Sequence, residues 1–162
     1  MKKYYYEDGN IKNVFTMSFQ VDNRVCYYED YLKLATDYPY FHGFYEIMLI
    51  QCDDLHMYIN DKAYILQTND LIVFSPQDFH RYVLKKGQVY RRITCEFSRE
   101  YVEEFCTETT DLLSCFIHRP KNFCPLRRLS PDQAGRLLLS MEAALKIHRS
   151  TAYGDDILSK CL

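Results

Sequence analysis

From Phe44 to Phe97, apolar and polar residues alternate in short bursts separated by residues that favour turns. Successive side chains on a strand point to opposite faces, so this period of two predicts strands rather than helices. Phe44 to Cys52 is one strand, Leu55 to Asn60 a second, and Ala63 to Gln67 a third after the turn at Asn60-Asp61-Lys62. The apolar run Leu71-Ile72-Val73-Phe74 is stopped by Ser75-Pro76. Phe79 to Leu84 and Val89 to Phe97 follow, on either side of the turn Lys85-Lys86-Gly87. Many short strands with turns between them predict an antiparallel sandwich or barrel. Upstream, Val14 to Tyr28 alternates more loosely and predicts one or two strands with a turn at Asp22-Asn23. Residues 1–13 are polar and turn-rich and read as a mobile arm, while 29–40 are ambiguous and end at Tyr38-Pro39.

After Phe97 the period lengthens. Ser98 to Phe105 reads as a short helix capped by Ser98, followed by a loop holding Pro120 and Pro125. Ser130-Pro131-Asp132-Gln133 is a capping box with proline at the first helical position. Ala134, Leu137, Leu138, Met141, Ala144 and Leu145 then share one helical face. Gly154-Asp155-Asp156 opens another amphipathic helix with Ile157, Leu158, Cys161 and Leu162, and the sequence stops about two turns into it. Helices that short are marginal alone, so the pattern reads as a cut inside a longer protein. The expected organisation is an arm over 1–13, a barrel over 14–110, and a linker with helices over 111–162.

Composition narrows the function. The 162 residues are 48% hydrophobic and 26% charged, as in an ordinary globular domain. There are 15 Tyr and 10 Phe but no Trp; tyrosine suits both half-buried strands and the walls of a pocket. Twenty basic and 22 acidic residues are spread along the chain for a net charge of −2. That lacks the clustered basic footprint of a nucleic-acid binder. Seven cysteines without a Cys-x-x-Cys pair, and a start without an apolar leader, point to free thiols in a reducing compartment. The expected location is cytoplasmic, with no stretch long enough to span a membrane.

Each strand has one apolar face and one mixed face. Tyr45, Ile47 and Leu49 oppose Phe44, Glu46, Met48 and Ile50; Leu55, Met57 and Ile59 oppose His56, Tyr58 and Asn60; Ile93, Cys95 and Phe97 oppose Arg92, Thr94 and Glu96. A mixed face can be wet, as in many antiparallel sheets. In a barrel whose apolar faces pack outward, the mixed faces instead line a cavity.

Two stretches carry more than periodicity. Tyr40-Phe41-His42-Gly43-Phe44-Tyr45-Glu46-Ile47 and Asn69-Asp70-Leu71-Ile72-Val73-Phe74-Ser75-Pro76-Gln77-Asp78-Phe79-His80-Arg81-Tyr82 resemble the two cupin motifs, in the form found in the N-terminal domain of AraC-type transcription regulators. Downstream, Tyr90 to Ser98, Leu112 to Phe116 and Leu129-Ser130-Pro131 extend the resemblance to roughly residues 14–162. It implies a mainly β, cupin-like antiparallel barrel (a double-stranded β-helix or jelly roll) followed by α-helices. The implied role is to bind a small effector, sugar-like or a small acid, and to dimerise, with DNA contacted only through a helix-turn-helix domain absent from this chain. No cofactor, membrane partner or catalytic residue is implied.

The effector-binding candidates are Tyr40, His42, Glu46, Met48, His80, Tyr82, Arg92 and Thr94. Arg92 carries most weight, because a cation facing a barrel interior needs an acidic or hydroxyl-rich partner, either Glu46 or a ligand. The dimer candidates are Leu137, Leu138, Met141, Leu145, Ile157 and Leu158, with the barrel taking one side of the stripe and a partner the other. The sequence departs from the family pattern where Tyr40 stands for the first histidine, Asn69 for a glycine, Ser75 for a proline and Gln77 for a second glycine. A metal-dependent cupin enzyme (an isomerase or dioxygenase) is the alternative, and His42, Glu46 and His80 are what remains of its ligand set. A third possibility is a dimerisation module whose barrel is filled by Phe and Tyr.

Overall fold

The structure, a computed structural model, describes residues 2–7, 10–16, 19–27, 42–149, 152–154 and 157. Two sheets form its centre. One has five strands in the order β10-β7-β4-β9-β3 and the other three in the order β6-β5-β8. They comprise β3 (Phe19–Tyr27), β4 (Tyr45–Ile50), β5 (Leu55–Ile59), β6 (Lys62–Leu66), β7 (Asp70–Phe74), β8 (His80–Val83), β9 (Val89–Phe97) and β10 (Leu126–Arg128). All the pairings are antiparallel. The fold is the expected mainly β, cupin-like jelly roll, although among the described residues the ladders do not join into one closed barrel.

Near the N-terminus β1 (Lys2–Glu7) pairs with β2 (Asn10–Thr16) as a separate two-stranded sheet. Two local expectations are corrected. No turn breaks the chain at Asp22-Asn23, because both residues lie inside the continuous ladder of β3 with β9. The segment after Pro125, read as linker, supplies β10, which extends the larger sheet beside β7. The buried Asp70 carboxylate holds that strand, accepting from Arg128 Nε at 2.8 Å and Nη2 at 3.0 Å.

The two faces of the larger sheet do different work. Its inner face meets the smaller sheet in a core that includes Met48, Ile50, Leu55, Met57, Leu66, Ile72, Phe74 and Tyr90. In β5 the inward residues are the apolar Leu55, Met57 and Ile59, whereas the mixed face of His56 and Tyr58 turns outward. The rule that mixed faces line the interior therefore fails on that strand. The outer face buries Val21, Leu49 and Ile93 under a long helix.

Among the described residues three helices follow the strands or join them: α1 (Arg99–Glu103), α2 (Ser114–Ile117) and α3 (Pro131–Arg149). Ser98 caps α1 by accepting from the Tyr101 N–H at 3.1 Å. The capping box of α3 forms reciprocally, the Gln133 N–H donating to Ser130 Oγ at 3.3 Å and the Ser130 N–H to Gln133 Oε1 at 3.0 Å. Ala134 and Met141 are buried against the sheet, and Leu137, Leu138, Ala144 and Leu145 pack around them. The stripe read for dimerisation is thus occupied largely by the barrel. Ile157 is exposed, and Leu158 lies outside the described residues. Among the described residues no helix is long and apolar enough to cross a membrane.

Candidate functional site

Register places the inward side chains in rows. On the larger sheet Glu46 stands opposite Phe74 and Glu96, Met48 opposite Ile72 and Thr94, and Ile50 opposite Arg92. On the next strand Asp22 is opposite Thr94. The smaller sheet faces them with His80 beside Ile59 and Tyr82 beside Met57. The interior is therefore apolar along β7 and β5 and along β4 beyond Glu46, but carries a polar strip along β9, made of Glu96, Thr94 and Arg92. All three are buried, as are Glu46 and His80.

Of the two partners considered for Arg92, Glu46 is not in direct contact with it. Its guanidinium donates to Thr94 Oγ1 and lies 3.5 Å from the Asp22 carboxylate. Direct pairing is ruled out by the row offset, since Arg92 is opposite Ile50 while Glu46 is two rows away. Glu46 instead accepts from His42 Nε2 at 2.8 Å. Burial raises the Glu46 pKa, but that bond and the positive charge of His42, Arg92 and His80 outweigh it and hold the carboxyl at about 2. Burial depresses His80 to about 4, so its ring is neutral at pH 7.

His80 sits at the start of β8, fixed by the turn after Ser75-Pro76. Asp78 closes that turn by accepting from the Ser75 N–H at 2.7 Å, and its carbonyl lies 3.2 Å from His80 Nδ1. With Nδ1 donating there, Nε2 is the unprotonated nitrogen. The edge-on rings of His42 and His80 have centroids 5.1 Å apart, and Phe44 stacks flat on His42 at 3.7 Å. His42, Glu46 and His80 each offer a ligand atom, all within 4.8 Å of one another. Two imidazoles and an ionised carboxylate fit a 2-His-1-carboxylate metal site, and the Asp78 carbonyl supplies the usual outer hydrogen bond to His80.

Tyr82 stacks obliquely on Tyr90 at 4.3 Å, and the Tyr90 hydroxyl donates to Met48 Sδ at 3.5 Å. His42, Glu46, Met48, His80, Tyr82, Arg92 and Thr94 thus belong to the interior or its mouth, while Tyr40 lies outside the described residues. Asp22, Tyr90 and Glu96 share the inward rows with these candidates, although the sequence reading does not single them out. Tyr90 and Glu96 share the parity of Arg92 and Thr94 and were legible on that ground. Asp22 was hidden by reading a turn where the strand continues. The departures from the motif are accommodated locally: Asn69 takes the left-handed φ of +73° that its glycine would take, and Ser75 Oγ donates to the Phe116 carbonyl at 2.8 Å.

The family pattern described as an AraC-like ligand binding domain matches residues 24–162. Among solved structures, ToxT from Vibrio cholerae O395 bound to (E)-4-(8-methylnaphthalen-1-yl)but-3-enoic acid superposes with a TM-score of 0.52 at 14% identity, over 88% of this chain and 53% of that one. Apo ToxT from Vibrio cholerae strain SCE256 gives 0.52 at 13%, over 89% and 52%. A cupin 2 conserved barrel domain protein from Salinispora arenicola gives 0.36 at 15%, over 41% and 56%. The chain spans about half the length of the ToxT structures it matches. No curated protein sequence matches it significantly.

Proposed function

The chain belongs to the family of AraC-like ligand binding domains, and we propose that it senses a small acid or sugar-like metabolite held against the polar strip of β9. The observation that carries this reading is the buried row of Arg92, Thr94 and Glu96 facing Tyr82 and His80 across the sheets. Charged groups in a protein interior are costly unless partnered. Arg92 is held by Asp22 and Thr94 at the strip's edge, which orients a guanidinium for a ligand carboxylate or paired hydroxyls. The acid bound to ToxT is consistent with an acidic effector. Binding proceeds without turnover, in the cytoplasm, and its output is the arrangement of a homodimer whose DNA contacts lie in a further domain.

The test is a thermal-stability screen with small sugar acids, polyols and carboxylates. A true effector produces a saturable rise equivalent to about 2.7 kcal/mol at a hundred times its Kd. Arg92→Met removes the rise and Tyr82→Phe weakens it. An undiminished rise in both variants would place the ligand elsewhere.

A second reading rests on the His42, Glu46 and His80 cluster. Under it, these residues hold iron, manganese or zinc, which supplies Lewis acidity or redox chemistry at its open positions. Glu46 stays ionised, and the Asp78 carbonyl keeps His80 in the ligating tautomer. Elemental analysis decides it: stoichiometric metal lost in Glu46→Gln supports the enzyme reading, and metal-free protein removes it.

A further inference from the structure

A second cleft lies outside the barrel, between the β5–β6 hairpin, the turn before β8 and the segment leading to β10. It encloses about 260 Å³. That is smaller than the usual range for drug-sized ligands, so its natural occupant is a compact molecule. Tyr64, Phe123 and Pro125 give it apolar walls. Three cations line it: Arg119, Lys62 and Lys121.

Their states differ. Arg119 is fixed from three sides: Nη1 pairs with Asp78, Nη2 donates to the Val73 carbonyl at 3.3 Å, and the guanidinium lies 4.5 Å from the Phe123 ring centroid. Its Nε–H is buried without an acceptor. Asp78, which also accepts from Asn60 Nδ2 at 3.0 Å, is thereby fully engaged. Lys62 and Lys121 are exposed and, among the described residues, have no carboxylate within ion-pair distance. Asp61 is the one acid in the lining besides Asp78. The cleft therefore carries an excess of one positive charge beside two aromatic rings.

We propose that this cleft binds a small aromatic carboxylate, its ring against Tyr64 and Phe123 and its carboxylate between Lys62 and Lys121. A rigid ring loses little freedom on binding, and charge-assisted bonds to two amines orient it. The site is separate from the barrel interior, but the two share Asp78. Its carboxylate faces the cleft and its carbonyl holds His80.

Benzoate is the probe, titrated into the whole chain by calorimetry and by thermal shift, with inorganic phosphate in parallel. Benzoate is expected to saturate one site, and the surface double variant K62A/K121A to weaken it about tenfold or more. Arg92→Met, the change that removes acid binding in the barrel, is expected to leave benzoate affinity within twofold. No saturation in the wild type, or unchanged affinity in K62A/K121A, overturns the site. Phosphate binding as tightly as benzoate overturns the assignment of an aromatic ligand. Loss in Arg92→Met but not in K62A/K121A places benzoate in the barrel and overturns the cleft, while leaving the effector reading intact.

Discussion

At the scale of single residues, the interior is set by which charges survive burial. Glu46 and His80 are both nearly inaccessible, and each resolves the cost differently. Glu46 stays ionised because His42 bonds it; His80 stays neutral because burial outweighs the attraction of Glu46. Both choices make the protein acid-sensitive, and the signs agree. An unfolded histidine takes up its proton near 6.5 and this one near 4, so between those values the unfolded chain holds more protons and stability falls as pH drops. Glu46 adds to the loss between 4.5 and about 2. The His80 share amounts to about 3 kcal/mol across its window. Urea unfolding at pH 7, 5.5 and 4 measures it, and His80→Gln flattens that stretch of the profile. A slope unchanged by the substitution would mean that His80 titrates normally in the fold.

At the scale of elements, alternation and caps were legible and long-range pairing was not. Val89 to Phe97 was bounded as β9 from its pattern alone, and Ser130-Pro131-Asp132-Gln133 marked the start of α3, because both signals are local. Two polar residues in mid-strand, Asp22 and Asn23, imitate a turn; pairing with Thr94 and Ile93 overrides that preference. The short β10 has no signature of its own, since three residues, two of them arginines, make a strand only where an edge and a buried partner await them. Asp70 is that partner. It is fully buried while the Arg128 side chain remains 63% exposed, so the pair lies between a surface bridge and a buried one. Arg128→Met is expected to lower the midpoint of chemical denaturation, because it leaves the buried Asp70 carboxylate without its cation. The double variant R128M/D70N should recover part of that loss by removing the stranded charge. Of the site, parity gave the strip on β9, but which face of β5 turned inward depended on the opposing sheet. The loss of a histidine at Tyr40 argued against a metal, yet the three remaining ligands converge all the same.

At the scale of the whole molecule, the polar interior and the seat of α3 share the same two strands. Met48 and Glu46 point inward from β4 and Thr94 and Arg92 from β9, while Leu49 and Ile93 on those strands point outward under α3. A sheet is one residue thick and close-packed cores do not deform gradually, so a shift of β9 toward a bound effector moves the seat of the helix. The inner stripe of α3 is taken up by that seat, which leaves the outward face for a partner. Leu139 is the large apolar residue there, 68% exposed, among Arg136, Ser140, Glu142 and Lys146. A two-fold pairing of this face would set Leu139 near its own copy. Leu139→Asp would then bring two carboxylates together in the interface while disturbing nothing in the protomer, since an exposed substitution changes stability by about 0.5 kcal/mol or less. Sedimentation equilibrium is expected to find a dimer for the wild type and a monomer of unchanged melting temperature for Leu139→Asp. Met141→Ala should do the opposite, lowering stability by about 2–4 kcal/mol through the cavity it leaves on the sheet, with the dimer surface preserved. A Leu139→Asp protein that stays dimeric would move the interface off α3 and cut the route from β9 to the partner.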